Sequence, residues 1–174
     1  MTDCISPTAE RVRALLDYDP ATGVFTWLVQ TRNRVRPGSR AGAINGRGYR
    51  QIRIDGRAYQ ASRLAWLWVN GAWPAATVDH INRRRDDDRI ANLREATRRE
   101  QEGNKGLLAT NTSGNRGVFW SAHKERWRVQ IYTNGQQRYL GDFRTKEEAS
   151  AAYDAAAREH FGEFFNGAAE RRAP

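Results

Sequence analysis

The residues best suited to chemistry sit in one short stretch, Val78-Asp79-His80-Ile81-Asn82, and at fixed spacings downstream of it. Asp79 offers a hard carboxylate oxygen. His80 offers an imidazole, which is largely neutral near pH 7 when unperturbed and can accept a proton. On an extended backbone these two neighbours point to opposite faces. Twelve residues after His80 comes Asn92, inside a second extended run from Arg89 to Arg94, and its carbonyl can fix the second ring nitrogen of the histidine. Thr97 and Glu100 form a capping box, which predicts a helix that carries Gln101 and Asn104. Strand, loop, strand and helix can thus gather one acid, one histidine and several carboxamides around a cation. Breaking a phosphodiester needs an activated water, neutralised non-bridging oxygens and help for the departing alkoxide. His80 can activate the water. Asp79 and a carboxamide oxygen of Gln101 or Asn104 can hold Mg²⁺, or another divalent cation such as Mn²⁺, that keeps much of its hydration. A lone Asp-His pair is usually mere surface; the whole constellation is far more specific and reads as a one-metal nuclease site.

The preceding chain must position these groups. Residues 8–16 predict a short helix, Asp19-Pro20-Ala21-Thr22-Gly23 a turn, and Val24 to Val29 a strand. Residues 30–40, with Arg32, Arg34, Arg36 and Arg40, read as an exposed basic loop, as consistent with a solvated loop as with a DNA contact. Residues 49–54 and 57–60 predict a hairpin about Asp55-Gly56, with Arg50 on the Ile52/Ile54 side. Ala61 to Val69 predicts a helix, stopped by Asn70-Gly71, that braces the catalytic hairpin; Trp66 and Trp68 read as core. The loop Arg83-Arg84-Arg85-Asp86-Asp87-Asp88 carries three adjacent acids. Consecutive loop side chains rarely converge, so these acids read as a solvated turn, while Arg83, Arg84 and Arg85 can reach DNA phosphates.

Residues 107–115 are small and polar and read as a linker between a domain over residues 1–106 and a second over 116–166, with 167–174 as a tail. In the second domain the run Arg126 to Tyr132 alternates cleanly, with Trp127, Val129 and Ile131 on one face and Arg126, Arg128, Gln130 and Tyr132 on the other. Asn134-Gly135 marks a hairpin turn, and Thr145 with Glu148 caps a helix through about His160. A three-stranded sheet with one helix behind it leaves its other face open, and such a face can enter a major groove. Simple solvation is the commoner fate of an alternating strand.

Composition bounds the partners. The 174 residues carry a net charge of +9 and a pI near 10.4, which favours a polyanion. The excess is uneven, +7 over residues 1–106 and +2 over 107–174. Cys4 is the only cysteine and there are three histidines, so neither an internal disulfide nor a Cys/His zinc site is expected. No apolar run reaches membrane-spanning length and no signal-peptide core is evident, so an intracellular, cytoplasmic protein is expected, with no membrane partner.

Asp79-His80-Ile81-Asn82, then Arg89, Asn92-Leu93-Arg94, Ala96-Thr97, Glu100 and Asn104, with Arg63-Leu64-Ala65-Trp66 upstream, resemble the HNH endonuclease family over about residues 60–105. The likeness is greatest to the homing endonucleases of phages and introns whose histidine is followed by asparagines. The resemblance implies a ββα-metal fold, with Asp79 as metal ligand, His80 as general base and Asn92 as its orienter. One departure stands out: Gln101 occupies the helix position where the family has Asn or His as second protein ligand. Asn104 matches a family asparagine further along, preceded by Gly103, which is expected to weaken the helix. Residues 113–166, through Arg116-Gly117-Val118, Trp127, Leu140-Gly141-Asp142-Phe143, Thr145, Glu148-Ala149 and Ala152-Tyr153-Asp154, resemble the plant APETALA/ethylene-response-factor DNA-binding domain. That resemblance implies DNA contacts by Arg116, Gln130, Tyr132 and Tyr139; strand parity adds Arg126 and Arg128. Phe119 and Trp120 stand where that family has polar readers.

The expected protein is therefore α+β: a ββα-metal (HNH) nuclease domain followed by a three-stranded antiparallel sheet plus one helix. It would nick or cleave double-stranded DNA in the manner of a phage homing endonuclease. One site implies one strand cut per active centre, in a monomer or weak dimer. The alternative is a non-catalytic DNA-binding regulator on a decayed nuclease scaffold, which Gln101 favours and the intact Asp79, His80 and Asn92 oppose.

Overall fold

Each strand pairs antiparallel with a neighbour close in sequence, and the result is a mixed α/β structure. The computed structural model describes residues 6–30, 35–107, 110–165 and 167. Arg32 and Arg34 of the expected basic loop, most of the N-terminal tail with Cys4, and all of the C-terminal tail except Gly167 lie outside the described residues.

Helix α1 (Ala9–Leu15) starts where the Thr8 hydroxyl accepts the Arg11 amide at 3.2 Å. It runs straight into β1 (Leu16–Asp19), a strand not expected from the sequence, which pairs with β2 (Val24–Trp27). Leu16 and Tyr18 point inward while Asp17 and Asp19 point outward, and Asp19 closes the turn by accepting from the Ala21 amide and the Thr22 hydroxyl. The expected hairpin forms as β4 (Arg50–Ile54) and β5 (Arg57–Gln60), with the short β3 (Ala43–Ile44) beside β4. Helix α2 (Ala61–Asn70) ends at Gly71 as expected. One core unites Val12, Leu16, Tyr18, Phe25, Ile52, Ile54, Leu64, Leu67 and Leu93, with Trp68 packed against it. Trp66 is half-buried and stands apart from that cluster.

Strand β6 (Thr77–His80) pairs with β7 (Leu93–Ala96), placing Asp79 opposite Arg94 and His80 opposite Leu93. The second strand is shorter than the expected run of residues 89–94. Ile90–Asn92 form a 3₁₀ turn, closed by the Asn92 amide donating to the Arg89 carbonyl at 2.9 Å, so Asn92 lies in the turn and not on a strand.

The chain forms two compact units, Met1–Thr97 and Arg98–Pro174. Helix α3 (Arg98–Asn104) begins directly after Thr97, as the Thr97/Glu100 pair predicts, and belongs to the second unit. There β8 (Val118–Ser121), β9 (Arg126–Thr133) and β10 (Gln136–Phe143) form a sheet of order β10-β9-β8, covered on one side by α4 (Lys146–Phe161). The Thr145/Glu148 capping box is made in full. Val118, Val129, Ile131, Ala149, Tyr153, Ala157 and Phe161 are the core. Helix α3 continues through Gly103 instead of weakening there, because the glycine is a packing device: a Cβ would lie 2.8 Å from the Phe161 Cβ and 2.9 Å from the Phe164 carbonyl oxygen.

The expected linker spans residues 107–115. Leu108 and Ala109 lie outside the described residues, but the segment from Thr110 to Asn115 is tied to itself and to α4. Asn111 Oδ1 accepts the Gly114 amide at 2.7 Å, Asn111 Nδ2 donates to the Asn115 carbonyl at 2.8 Å, and Ser150 donates to Asn115 Oδ1 at 3.1 Å. Among the described residues no helix is long and apolar enough to cross a membrane.

Candidate active site

His80 closes β6 with its ring turned inward, only 4% exposed. Its Nε2 lies 3.1 Å from Asp88 Oδ1, and Asp88 is itself 2% exposed. Two contacts from the β1–β2 hairpin hold Asp88. The Tyr18 hydroxyl donates to the Asp88 carbonyl at 2.7 Å, and burial, aided by the Asp88 charge, pushes that phenol's pKa up. Gly23, at φ +72°, abuts the Asp88–Arg89 peptide so closely that a Cβ would lie 2.4 Å from the Arg89 nitrogen. The Tyr49 ring sits 5.9 Å from the imidazole.

Asn92, 7% exposed, staples the loop. Its Oδ1 accepts the Asn82 amide at 3.0 Å, its Nδ2 donates to the Asp87 carbonyl at 2.8 Å, and its own carbonyl accepts the Ile81 amide at 2.9 Å. His80 Nε2 thus meets Asp88, while Asn92 shapes the backbone around both.

The three adjacent acids are no solvated turn. Asp86 is exposed, Asp87 is half-buried and Asp88 is buried. The chain reverses sharply through Arg83 (φ +64°), with the Arg83 amide bonded to the His80 carbonyl and the Asp87 amide to the Arg84 carbonyl, so neighbouring carboxylates face different surroundings. Asp87 accepts from Arg89 at 2.7 and 2.6 Å and from Asn82 Nδ2 at 2.7 Å. Chiefly the Arg89 guanidinium, working against burial, brings its carboxyl down to about 2. The sequence offered one signal for this: Asn82, Asp87 and Arg89 can cross-link a tight loop, and a loop so tied must turn one neighbour of Asp87 inward.

Asp79 faces away from His80, as strand parity requires. Its Oδ2 lies 3.3 Å from Arg94 Nη2 across the ladder, and both side chains are largely buried. No cluster of three or more His, Cys, Asp or Glu side chains able to hold a metal occurs among the described residues. A single carboxylate does suit an ion that keeps several waters, so the donor chemistry of Asp79 fits Mg²⁺. Gln101, half-buried, and Asn104, buried, lie on α3 in the second unit. Arg84 and Arg85 are exposed, and Arg83 half-buried. Arg85 donates to the Arg47 carbonyl at 2.8 Å and lies 5.2 Å over the Tyr49 ring.

In the second unit, Arg116 is spent on structure. Its guanidinium donates to the carbonyls of Glu102, Gly103 and Lys105, each at 2.9 Å, and so closes the C-terminus of α3. The open sheet face presents Tyr132, 64% exposed, and Tyr139, 53% exposed, with Phe119 paired across the ladder to Arg128. Arg128 donates to Asp142 at 3.0 Å and stands 5.7 Å over Tyr139; Arg128 and Lys124 together hold the Asp142 carboxyl well below the usual range. Gln130 and Gln137 are hydrogen-bonded to each other, and Arg126 is half-buried at the strand's start.

A buried histidine at the end of one hairpin strand, with an asparagine-built loop leading to the next, lies within the stretch that matches a known family. The HNH endonuclease family matches residues 59–102, from β5 into α3. The chain is 33% identical over 112 residues to Protein 3.8 of Escherichia phage T7, a match covering 61% of this chain and 90% of that protein. The chain thus belongs to the same family as that phage protein and carries an HNH endonuclease domain. No solved structure matches it.

Proposed function

We propose that this protein is a metal-dependent HNH endonuclease that nicks or cleaves double-stranded DNA, of the phage homing type, with a ββα-metal motif. The observation that carries the reading is a buried histidine at the end of a strand, held against Asp88 of a cross-linked loop, while the preceding residue turns a carboxylate to the opposite face of the same strand. Such fixity is what general-base catalysis requires. In the reaction His80 takes a proton from water, the water oxygen forms a bond to phosphorus, and the bond from phosphorus to the leaving oxygen breaks, that oxygen then taking a proton from solvent. Asp79 would hold a divalent cation, whose charge would offset that of the phosphate and of the departing alkoxide.

The open face of the second unit would serve as a DNA-binding surface of the ethylene-response-factor kind, with Arg126, Arg128, Gln130, Tyr132 and Tyr139 as contacts; exposed aromatics beside cations suit nucleic acid. Arg83, Arg84 and Arg85 would meet the phosphate backbone. A DNA-binding regulator without nuclease activity is the second reading, favoured by the Asp79–Arg94 pair, which neutralises the carboxylate without a metal. Supercoiled plasmid incubated with the protein in Mg²⁺ should become nicked, and EDTA should prevent it. Binding without nicking at any Mg²⁺ or Mn²⁺ concentration would select the regulator.

A further inference from the structure

Asp88 is a buried carboxylate with two unlike oxygens. Oδ1 lies 3.1 Å from His80 Nε2, whereas Oδ2 is buried with no hydrogen-bond partner among the described residues. Arg50 is near enough to feel its charge, but Arg50 Nη1 is directed to the carbonyls of Ala41 and Gly42 and its Nε is likewise unpartnered. Among the described residues the imidazole is thus the hydrogen-bond partner of this carboxylate, the tautomer setting which group donates. A half-satisfied buried carboxylate is costly, and its persistence calls for a reason.

An ionised carboxylate accepts hydrogen bonds and cannot donate them, so the shared proton sits on Nε2 and the basic lone pair sits on Nδ1. We propose that Asp88 is the positioning residue of His80: it locks the imidazole in the Nε2–H tautomer, aims Nδ1 at the attacking water and stabilises the imidazolium once formed. This rests on His80 being the general base. When the O–H bond of water breaks, an N–H bond forms at Nδ1, the Nε2 proton stays on the ring, and the carboxylate remains ionised. The β1–β2 hairpin takes part through Asp88, because Tyr18 and Gly23 fix the peptide that carries it. This gives the N-terminal residues, which lie outside the 59–102 family match, a role in the reaction centre.

Long-range ¹H–¹⁵N correlation of the full-length, ¹⁵N-histidine-labelled protein at pH 8 reads the tautomer directly. The wild type should show His80 protonated at Nε2. Asp88→Asn should keep that tautomer, because its amide oxygen still accepts; Asp88→Ala should show both tautomers in exchange. Plasmid nicking should fall about a hundredfold in Asp88→Ala and distinctly less in Asp88→Asn. An Nδ1–H tautomer in the wild type, or an unaltered His80 signal in Asp88→Ala, overturns the proposal. Should the alanine variant fail to fold, the wild-type spectrum still decides. A wild type that nicks DNA while His80 is Nδ1–H refutes the role of Asp88 and leaves the nuclease standing. An Nε2–H ring in a protein that never nicks refutes the nuclease and leaves the tautomer lock.

Discussion

Between β6 and β7 the polar side chains turn back on their own chain: Asn82, Asp87, Arg89 and Asn92 bond one another or the loop backbone, and Asp88 meets His80. On the open face of the β8–β9–β10 sheet the pattern is looser. Arg128 pairs with Asp142 and Gln130 with Gln137, but Tyr132 and Tyr139 stand largely in solvent and Phe119 is partly exposed. A reacting site needs its groups fixed before the substrate arrives, and a binding surface needs groups still available to meet it. By that criterion the first region has the fixity that chemistry needs and the second the exposure that contact needs. Mutations in the two should separate cleanly, stability and turnover responding in one and affinity in the other.

The largest effect on stability is expected from Asn92→Ala. It leaves the Asn82 amide and the Asp87 carbonyl without partners and should cost about 2–3 kcal/mol in urea unfolding, with nicking nearly lost. A cost under about 0.5 kcal/mol would mean the loop is held by other means. Gly23→Ala should come next, at roughly 1–2 kcal/mol from the left-handed backbone alone, and should slow nicking by shifting Asp88. In the other region, Tyr132→Ala or Tyr139→Ala should weaken DNA binding by roughly 1–3 kcal/mol if bases stack there, while stability moves by less than about 0.5 kcal/mol. The reverse outcome, lost stability with unchanged affinity, would abolish the contrast.

A smaller effect lies in acid. The carboxyl of Asp87 is depressed in the folded state, to about 2 from 3.8, so its stabilisation is present above the unfolded value and is lost as pH falls through the folded one. Unfolding measured between pH 3.8 and about 2 should therefore show the wild type losing stability more steeply than Asp87→Asn, which has no charge to lose. Parallel curves would mean that the Arg89 pair contributes nothing.

Much of this was legible in the sequence because it is local. The Asp55-Gly56 hairpin, α2 with its Gly71 stop, the start of α3 and the capping box of α4 follow from neighbouring residues, and the opposite facing of Asp79 and His80 follows from strand period alone. What stayed hidden depends on distant partners. Strand β1 is four residues long, abuts a helix and is defined only by pairing with β2. Asp88 looks like its neighbours until Tyr18, seventy positions earlier, arrives beside it. Arg116 resembles a surface cation until the end of α3 supplies three carbonyls.

The central claim is that His80 is the base and that the loop exists to hold it. Wild type and His80→Ala compared on one supercoiled plasmid in Mg²⁺, with DNA affinity measured in parallel, test this most directly. The variant should bind within about twofold of the wild type and nick at least a hundredfold more slowly, about the least that a general base contributes. Turnover by His80→Ala at the wild-type rate would contradict the account.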